Sequence, residues 1–323
     1  MIIIWRIFSI SRFKLGVLAA LSLLPFYAVQ ASPVSFSQVI KLDVEAPYVW
    51  RSYADQSQQT LAHFAQSTIN ANTSGSILLI HGGCWSNAYG VDHALPMASA
   101  LSRMGFDVWA AEYRRVGDEG GGWPGSLNDV KAAIRYVAQS TGNSLLLVGH
   151  SAGGHLALKA AEDPDLSIKG VVALAPITDL IGYGAEKGSC QSMVPMLMGE
   201  DSYQPSDRYR NASVRIEEIS TPIKAIRGEA DSIVGGNQVA LFSPEQLIEV
   251  PEAGHFDLIY PKSQAFEAVK SVIENLLAAG NVSTGRRPGT TEKNTPERRS
   301  SVNSINAHSG YHRDHMKLAG AAE

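Results

Sequence analysis

The chain has 323 residues, 45% of them hydrophobic and 18% charged, enough apolar material for one large core or two small ones. A formal net charge of -4 supplies no basic surface, which excludes nucleic acid as the expected partner. Only two cysteines, Cys84 and Cys190, occur, too few for a disulfide scaffold. Two separate buried thiols are expected, with a single bridge as the alternative in an oxidising compartment.

Residues 1–31 differ from the rest of the chain. Arg6, Arg12 and Lys14 precede an apolar segment, 15–24, then Pro25, and the small residues around Ala31 suit cleavage before Ser32. That order predicts a secretory leader and therefore an exported protein. An uncleaved anchor helix is the alternative, because residues 1–4 are also apolar. The three basic residues interrupt the roughly 20 apolar residues that a membrane crossing needs. No cysteine stands where a lipid anchor requires one.

Residues 39–44 alternate like a strand, and 60–65 suggest another. A polar turn at 70–75 leads to a short buried strand, 77–80, that breaks into His81, Gly82 and Gly83. A helix is predicted over 95–104, stopped by Gly105, and a strand over 106–113. A glycine-dense loop, 117–125, precedes Ser126, expected to cap a helix over 127–138 with Asp129 in its first turn.

Residues 145–156 read LLLVGHSAGGHL, a buried strand turning abruptly into a helix. Gly149, Ser151 and Gly153 form a GxSxG pattern, whose small residues let the serine occupy a strained turn with its hydroxyl raised above the sheet. Residues 170–175 read as a further buried strand. Residues 178–220 show little periodicity and are expected to be a cap-like insertion over the strand ends. Strands at 223–227 and 246–250 and a closing helix at 265–279 complete residues 32–280 as a domain with a mostly parallel sheet. Residues 281–323 are polar, aperiodic and expected to be disordered, with His308, His312 and His315 as scattered solvated side chains.

A serine nucleophile needs a base to take its proton and donors for the oxyanion it generates. Asp231 and His255 each follow a predicted strand, in the order a doubly wound sheet requires. Glu229 and Asp179 compete for the acid's role, and Asp257 is the alternative if the last loop turns the other way. His150 and His155 flank the serine where packing is expected, and His81 is expected to support its own loop.

The motifs HGGCW at 81–85, EYRR at 112–115, GGGWPGSLNDV at 120–130, GHSAGGHLAL from 149, GEADSIV from 228 and EAGHF at 252–256 together resemble the α/β-hydrolase superfamily. They are most similar to its esterase branch, which includes kynurenine-formamidase-like and feruloyl or acetyl-xylan-esterase-like proteins. The resemblance implies a mostly parallel sheet with helices on both faces and hydrolysis of a small-molecule carboxylic ester without cofactor or metal. It implies Ser151, Asp231 and His255 as a triad and the N–H groups of Gly83, Cys84 and Ala152 as oxyanion donors. Cys84 stands where lipase-like relatives often carry a third glycine. Trp85 and Trp123 are expected either to wall the pocket or to pack as ordinary aromatics. The alternative readings are a formamidase-type amide hydrolase and a non-catalytic binding protein on the same fold. Dienelactone-hydrolase-like and peptidase activities are further options.

Overall fold

The computed structural model describes residues 32–66 and 75–279. The expected leader, the polar tail and most of the 70–75 turn lie outside the described residues. A single eight-stranded sheet comprises β1 (Val49–Ser52), β2 (Thr60–Phe64), β3 (Ser76–Ile80), β4 (Asp107–Ala111), β5 (Leu145–His150), β6 (Ile168–Leu174), β7 (Ile223–Gly228) and β8 (Leu247–Val250). Its order is β1-β2-β4-β3-β5-β6-β7-β8. β2 runs antiparallel to both its neighbours, and the remaining pairs are parallel.

The central strands are apolar throughout because helices cover both faces. Leu78, Ile80, Leu145 and Leu147 face one half of the core, packed with α3 (Gly125–Thr141) and α4 (Ala152–Ala161). Their alternating neighbours Ile77, Leu79, Leu146 and Val148 face the other, with α2 (Leu95–Arg103) and α8 (Gln264–Ala279). Ile80 pairs with Gly149, and Gly228 with Val250, so the loops after β3, β5, β7 and β8 leave from one carboxyl edge. Ligands of open α/β sheets bind at that edge. No helix among the described residues is long and apolar enough to cross a membrane.

Three local expectations change. Residues 39–44 form no strand. The helix α1 (Phe36–Val39) precedes them, and the Leu42 N–H turns back to the Val39 carbonyl, so buried Val39 is reached by a helical turn instead of a pleat. Ser126 does not cap α3: the helix starts earlier, after Pro124, and the Ser126 hydroxyl donates to the Arg114 carbonyl at 2.6 Å. Asp129 turns inward and takes Arg114 in a two-pronged pair at 2.7 and 2.8 Å, with Gln59 donating to it at 2.7 Å. That buried fork welds the loop after β4 to α3.

Within residues 178–220 the chain makes three short α-helices, α5 (Leu180–Ala185), α6 (Met193–Leu197) and α7 (Asp207–Ala212), and a 3-10 turn, Ile216–Glu218. Ser189 and Cys190, between α5 and α6, reach the cavity described next.

Candidate active site

Ser151 occupies the junction of β5 and α4 with φ 55° and ψ -119°, a conformation that costs an L-residue energy and persists only where the surroundings enforce it. A side chain on Gly149 would collide with the Gly153 carbonyl, and one on Gly153 with the carbonyls of Ile80 and His81. Both glycines are therefore required for α4 to start so close to the end of β3. The Ser151 N–H is fixed by the Leu174 carbonyl at 2.8 Å, and its own carbonyl begins the helix by accepting from His155 at 3.1 Å.

Asp231 follows β7. Its Oδ1 accepts the N–H groups of Ile233 at 2.8 Å and Val234 at 2.9 Å, and its Oδ2 accepts the Nδ1 proton of His255 at 2.7 Å. Burial pushes this carboxyl group up, but the hydrogen bond from His255, that ring's charge and the two N–H donors outweigh it and hold the group below the usual carboxylate range. When the ring carries a single proton on Nδ1, Nε2 is the basic nitrogen. The two loops are pinned to each other, the Glu229 N–H donating to Val250 at 3.0 Å and the Ala230 N–H to Ala253 at 2.9 Å. Glu229 is exposed, and Asp179 caps α5 by accepting from Ile181. Asp257 accepts from Gly254 at 3.0 Å and from Val34 at 2.8 Å, so it ties the chain entering α1 to the His255 loop.

Ser151 and His255 line one cavity of about 150 Å³, together with Gly83 and Cys84. Among the described residues neither the Ser151 hydroxyl nor His255 Nε2 has a hydrogen-bond partner, leaving both available. The N–H groups of Gly83 and Cys84 are likewise given to no other group, and that of Ala152 opens α4, where helices leave their first donors unpaired. A larger surface cleft of about 410 Å³ runs between Asp43 and Lys262. It holds no imidazole, and the hydroxyl of its Ser99 accepts the Ala46 N–H, so it lacks the pairing of a serine with a histidine that marks the smaller cavity.

The BD-FAE family model matches residues 65–245, more than half of the chain. The chain belongs to the BD-FAE family. It is 38% identical over 108 residues to versiconal hemiacetal acetate esterase of Aspergillus parasiticus, covering 31% of this chain and 33% of that protein. It is 25% identical over 240 residues to the probable carboxylic ester hydrolase LipM of Mycobacterium tuberculosis, covering 64% of this chain and 54% of that one. The BD-FAE chain thus spans about a third to a half of the length of these curated relatives. Esterase B from Lactobacillus Rhamnosis (HN001) shares the fold, with a TM-score of 0.61 at 19% identity over 76% of this chain and 91% of that one. The sheet order and these relationships make the fold that of an α/β-hydrolase.

Two sequence expectations about the pocket of this BD-FAE protein are corrected. Trp85 is 0% exposed and gives its indole N–H to His155 Nδ1 at 3.2 Å, so it is a core residue. Trp123 lines a separate surface depression with Lys131 and Arg215. Neither indole lines the cavity that holds Ser151. The apolar lining comes instead from Phe36 and Tyr89, which no motif marks, and from Ile233 and Phe256, which stand beside Asp231 and His255 in their motifs. Cys84 and Cys190 are not separate thiols but form a disulfide. The signal for it was present, since a chain with only two cysteines has only one bridge to make where the compartment is oxidising.

The supporting histidines are buried and engaged. His155 donates from Nε2 to the Ala212 carbonyl at 2.8 Å, and burial pushes its pKa down to about 4. His150 donates to the carbonyl of His255 at 3.0 Å, and burial, with the nearby His255 ring, pushes its pKa well down. His81 lies beneath the glycine loop, with Nδ1 2.8 Å from the Gly82 carbonyl and Nε2 3.1 Å from Glu112. Among the described residues no group of three or more His, Cys, Asp or Glu side chains is arranged to hold a metal ion.

Proposed function

We propose that this protein is a serine hydrolase of small-molecule carboxylic esters. The observation that carries the reading is the Asp231–His255 hydrogen bond at 2.7 Å, made by a ring that shares one cavity with a serine in a strained turn. His255 takes the Ser151 proton as the hydroxyl attacks the ester carbonyl, and Asp231 holds the ring with Nε2 toward the reaction. The N–H groups of Gly83, Cys84 and Ala152 receive the oxyanion, each such donor being worth about 3 to 4 kcal/mol of barrier. His255 then protonates the departing alcohol, an acyl-enzyme remains on Ser151, and water activated by the same imidazole releases the acid. In unliganded sites of this kind the serine–imidazole contact is commonly long and tightens with substrate bound.

The names of the curated relatives support ester hydrolysis as the chemistry. The composition of residues 1–31 supports export, and the Cys84–Cys190 bridge fits an oxidising compartment. The test is exposure to a fluorophosphonate followed by peptide mass spectrometry, with turnover of p-nitrophenyl esters and of N-formylkynurenine measured in parallel. Label on Ser151, ester turnover and their joint loss in Ser151→Ala are expected. Label elsewhere ends the reading, and turnover of the formamide alone replaces it with the amide-hydrolase alternative.

A further inference from the structure

The glycine loop after β3 is bent in an unusual way. Gly83, Cys84 and Trp85 have φ values of 103°, 53° and 57°, three successive residues in the left-handed region, two of which carry side chains. Such a run does not persist without restraint. On its far side the restraint is visible: the Trp85 carbonyl accepts from Val116 at 2.8 Å, and its indole is held by His155. At Cys84 it is of another kind. Among the described residues the Cys84 main chain itself makes no hydrogen bond; the Ser86 N–H closes a turn over it by donating to the Gly83 carbonyl at 2.9 Å, and the Cys84 side chain is anchored by the covalent bond to Cys190.

Cys190 is itself well fixed. It is buried, its carbonyl accepts from Met193 at 3.1 Å, and the neighbouring Gln191 side chain reaches the Ile233 carbonyl at 3.4 Å on the Asp231 loop. Both half-cystines line the cavity with Ser151 and His255. The disulfide therefore joins the segment between α5 and α6 to the strained loop at the position where an oxyanion donor is required.

We propose that Cys190 is a positioning residue: through its disulfide it holds the Cys84 N–H in the geometry that receives the oxyanion, so that reduction of the bond by a dithiol lowers turnover. The inference rests on the serine-esterase reading. In the reducing step a dithiol thiolate attacks one sulfur and forms a mixed disulfide, and its second thiol resolves it. Two electrons and two protons pass to the protein, which gains two thiols, while the dithiol becomes its cyclic disulfide.

The experiment measures kcat and KM for p-nitrophenyl acetate, and the affinity for a trifluoromethyl ketone whose adduct places an oxyanion in the same site. Both are measured before and after dithiothreitol, with reduction verified by the mass of the doubly alkylated protein and the fold by far-UV circular dichroism. Expected are a fall in kcat of tenfold or more with KM within threefold, a comparable loss of ketone affinity, and recovery on reoxidation. Cys190→Ser is expected to have the lower kcat from the outset and no response to the dithiol. If that variant does not fold, the reduction series on the native protein carries the test. A kcat and ketone affinity within twofold after complete reduction would overturn the proposal. So would collapse of the far-UV spectrum on reduction, since the bond would then be a staple of the fold. Failure of the fluorophosphonate to label Ser151 in the oxidised protein removes the underlying reading instead; label on Ser151 with no effect of the dithiol removes this inference alone.

Discussion

The carboxylate of Asp231 divides its two oxygens between two tasks: one accepts the N–H groups of Ile233 and Val234, and the other takes the Nδ1 proton of His255 at 2.7 Å. The acid is thus locked by main chain before it orients the imidazole. Asp231→Asn keeps the shape but sets an amide against Nδ1, which favours the wrong tautomer. A fall in kcat of about 10³- to 10⁴-fold, with KM little changed, is expected from ester hydrolysis kinetics. A loss below tenfold would mean another group performs this task.

Gly153 has no room for a methyl group, because the carbonyl oxygens of Ile80 and His81 occupy the space where it would lie. Backbone cannot swing aside as a long side chain does. Gly153→Ala is expected to destabilise the protein by about 1–3 kcal/mol through overpacking, measured by urea unfolding, and to displace the glycine loop. Ester turnover in the still-folded fraction should fall as well.

Phe36 reaches the cavity from the start of the described chain and packs edge-on against Tyr89 at 5.4 Å between ring centroids. Truncating it enlarges an apolar wall without touching Ser151, Asp231 or His255. Phe36→Ala is expected to raise the ratio of kcat/KM for p-nitrophenyl hexanoate over acetate by about tenfold, within the 1–3 kcal/mol that a methylene-sized pocket difference commands. An unchanged ratio would place the acyl group elsewhere.

Burial pushes the pKa values of His93 and His155 down to about 3 and about 4, and that of His150 well below its ordinary value. These rings are neutral when folded and take up protons when the chain unfolds. Their contribution is complete above the ordinary imidazole range near pH 6.5 and is lost as pH falls from there toward the folded values. Each contributes a slope of about 1.4 kcal/mol per pH unit within that window. Chemical denaturation at pH 7, 6 and 5 should show stability dropping before any carboxylate titrates, and a flat profile across this range would contradict the burial of the three rings.

The order Ser151, Asp231, His255 was legible because each residue stands directly after an apolar run, and a parallel sheet delivers the ends of such runs to one edge. The fold was legible for the same reason, since strands β3, β5 and β6 are apolar on both faces. The pocket wall was not. Phe36, Tyr89 and Ile233 come from distant segments without a shared period, and their convergence depends on loops that composition does not specify. Trp85 stayed open in the sequence because an aromatic beside a glycine loop suits either a pocket or a core. Its neighbour His155, supplying an acceptor for the indole, decides for the core. The alternation at 39–44 misled because Val39 meets its need for burial through one helical turn.

Asp257 carries a practical corollary through its shared contacts with Val34 and Gly254. An affinity tag or fusion partner attached immediately ahead of Ser32 would emerge a few residues from Phe36, at the wall of the cavity that holds Ser151. Kinetic comparisons between preparations therefore require the same residues ahead of Ser32, where the Val34 contact to Asp257 begins.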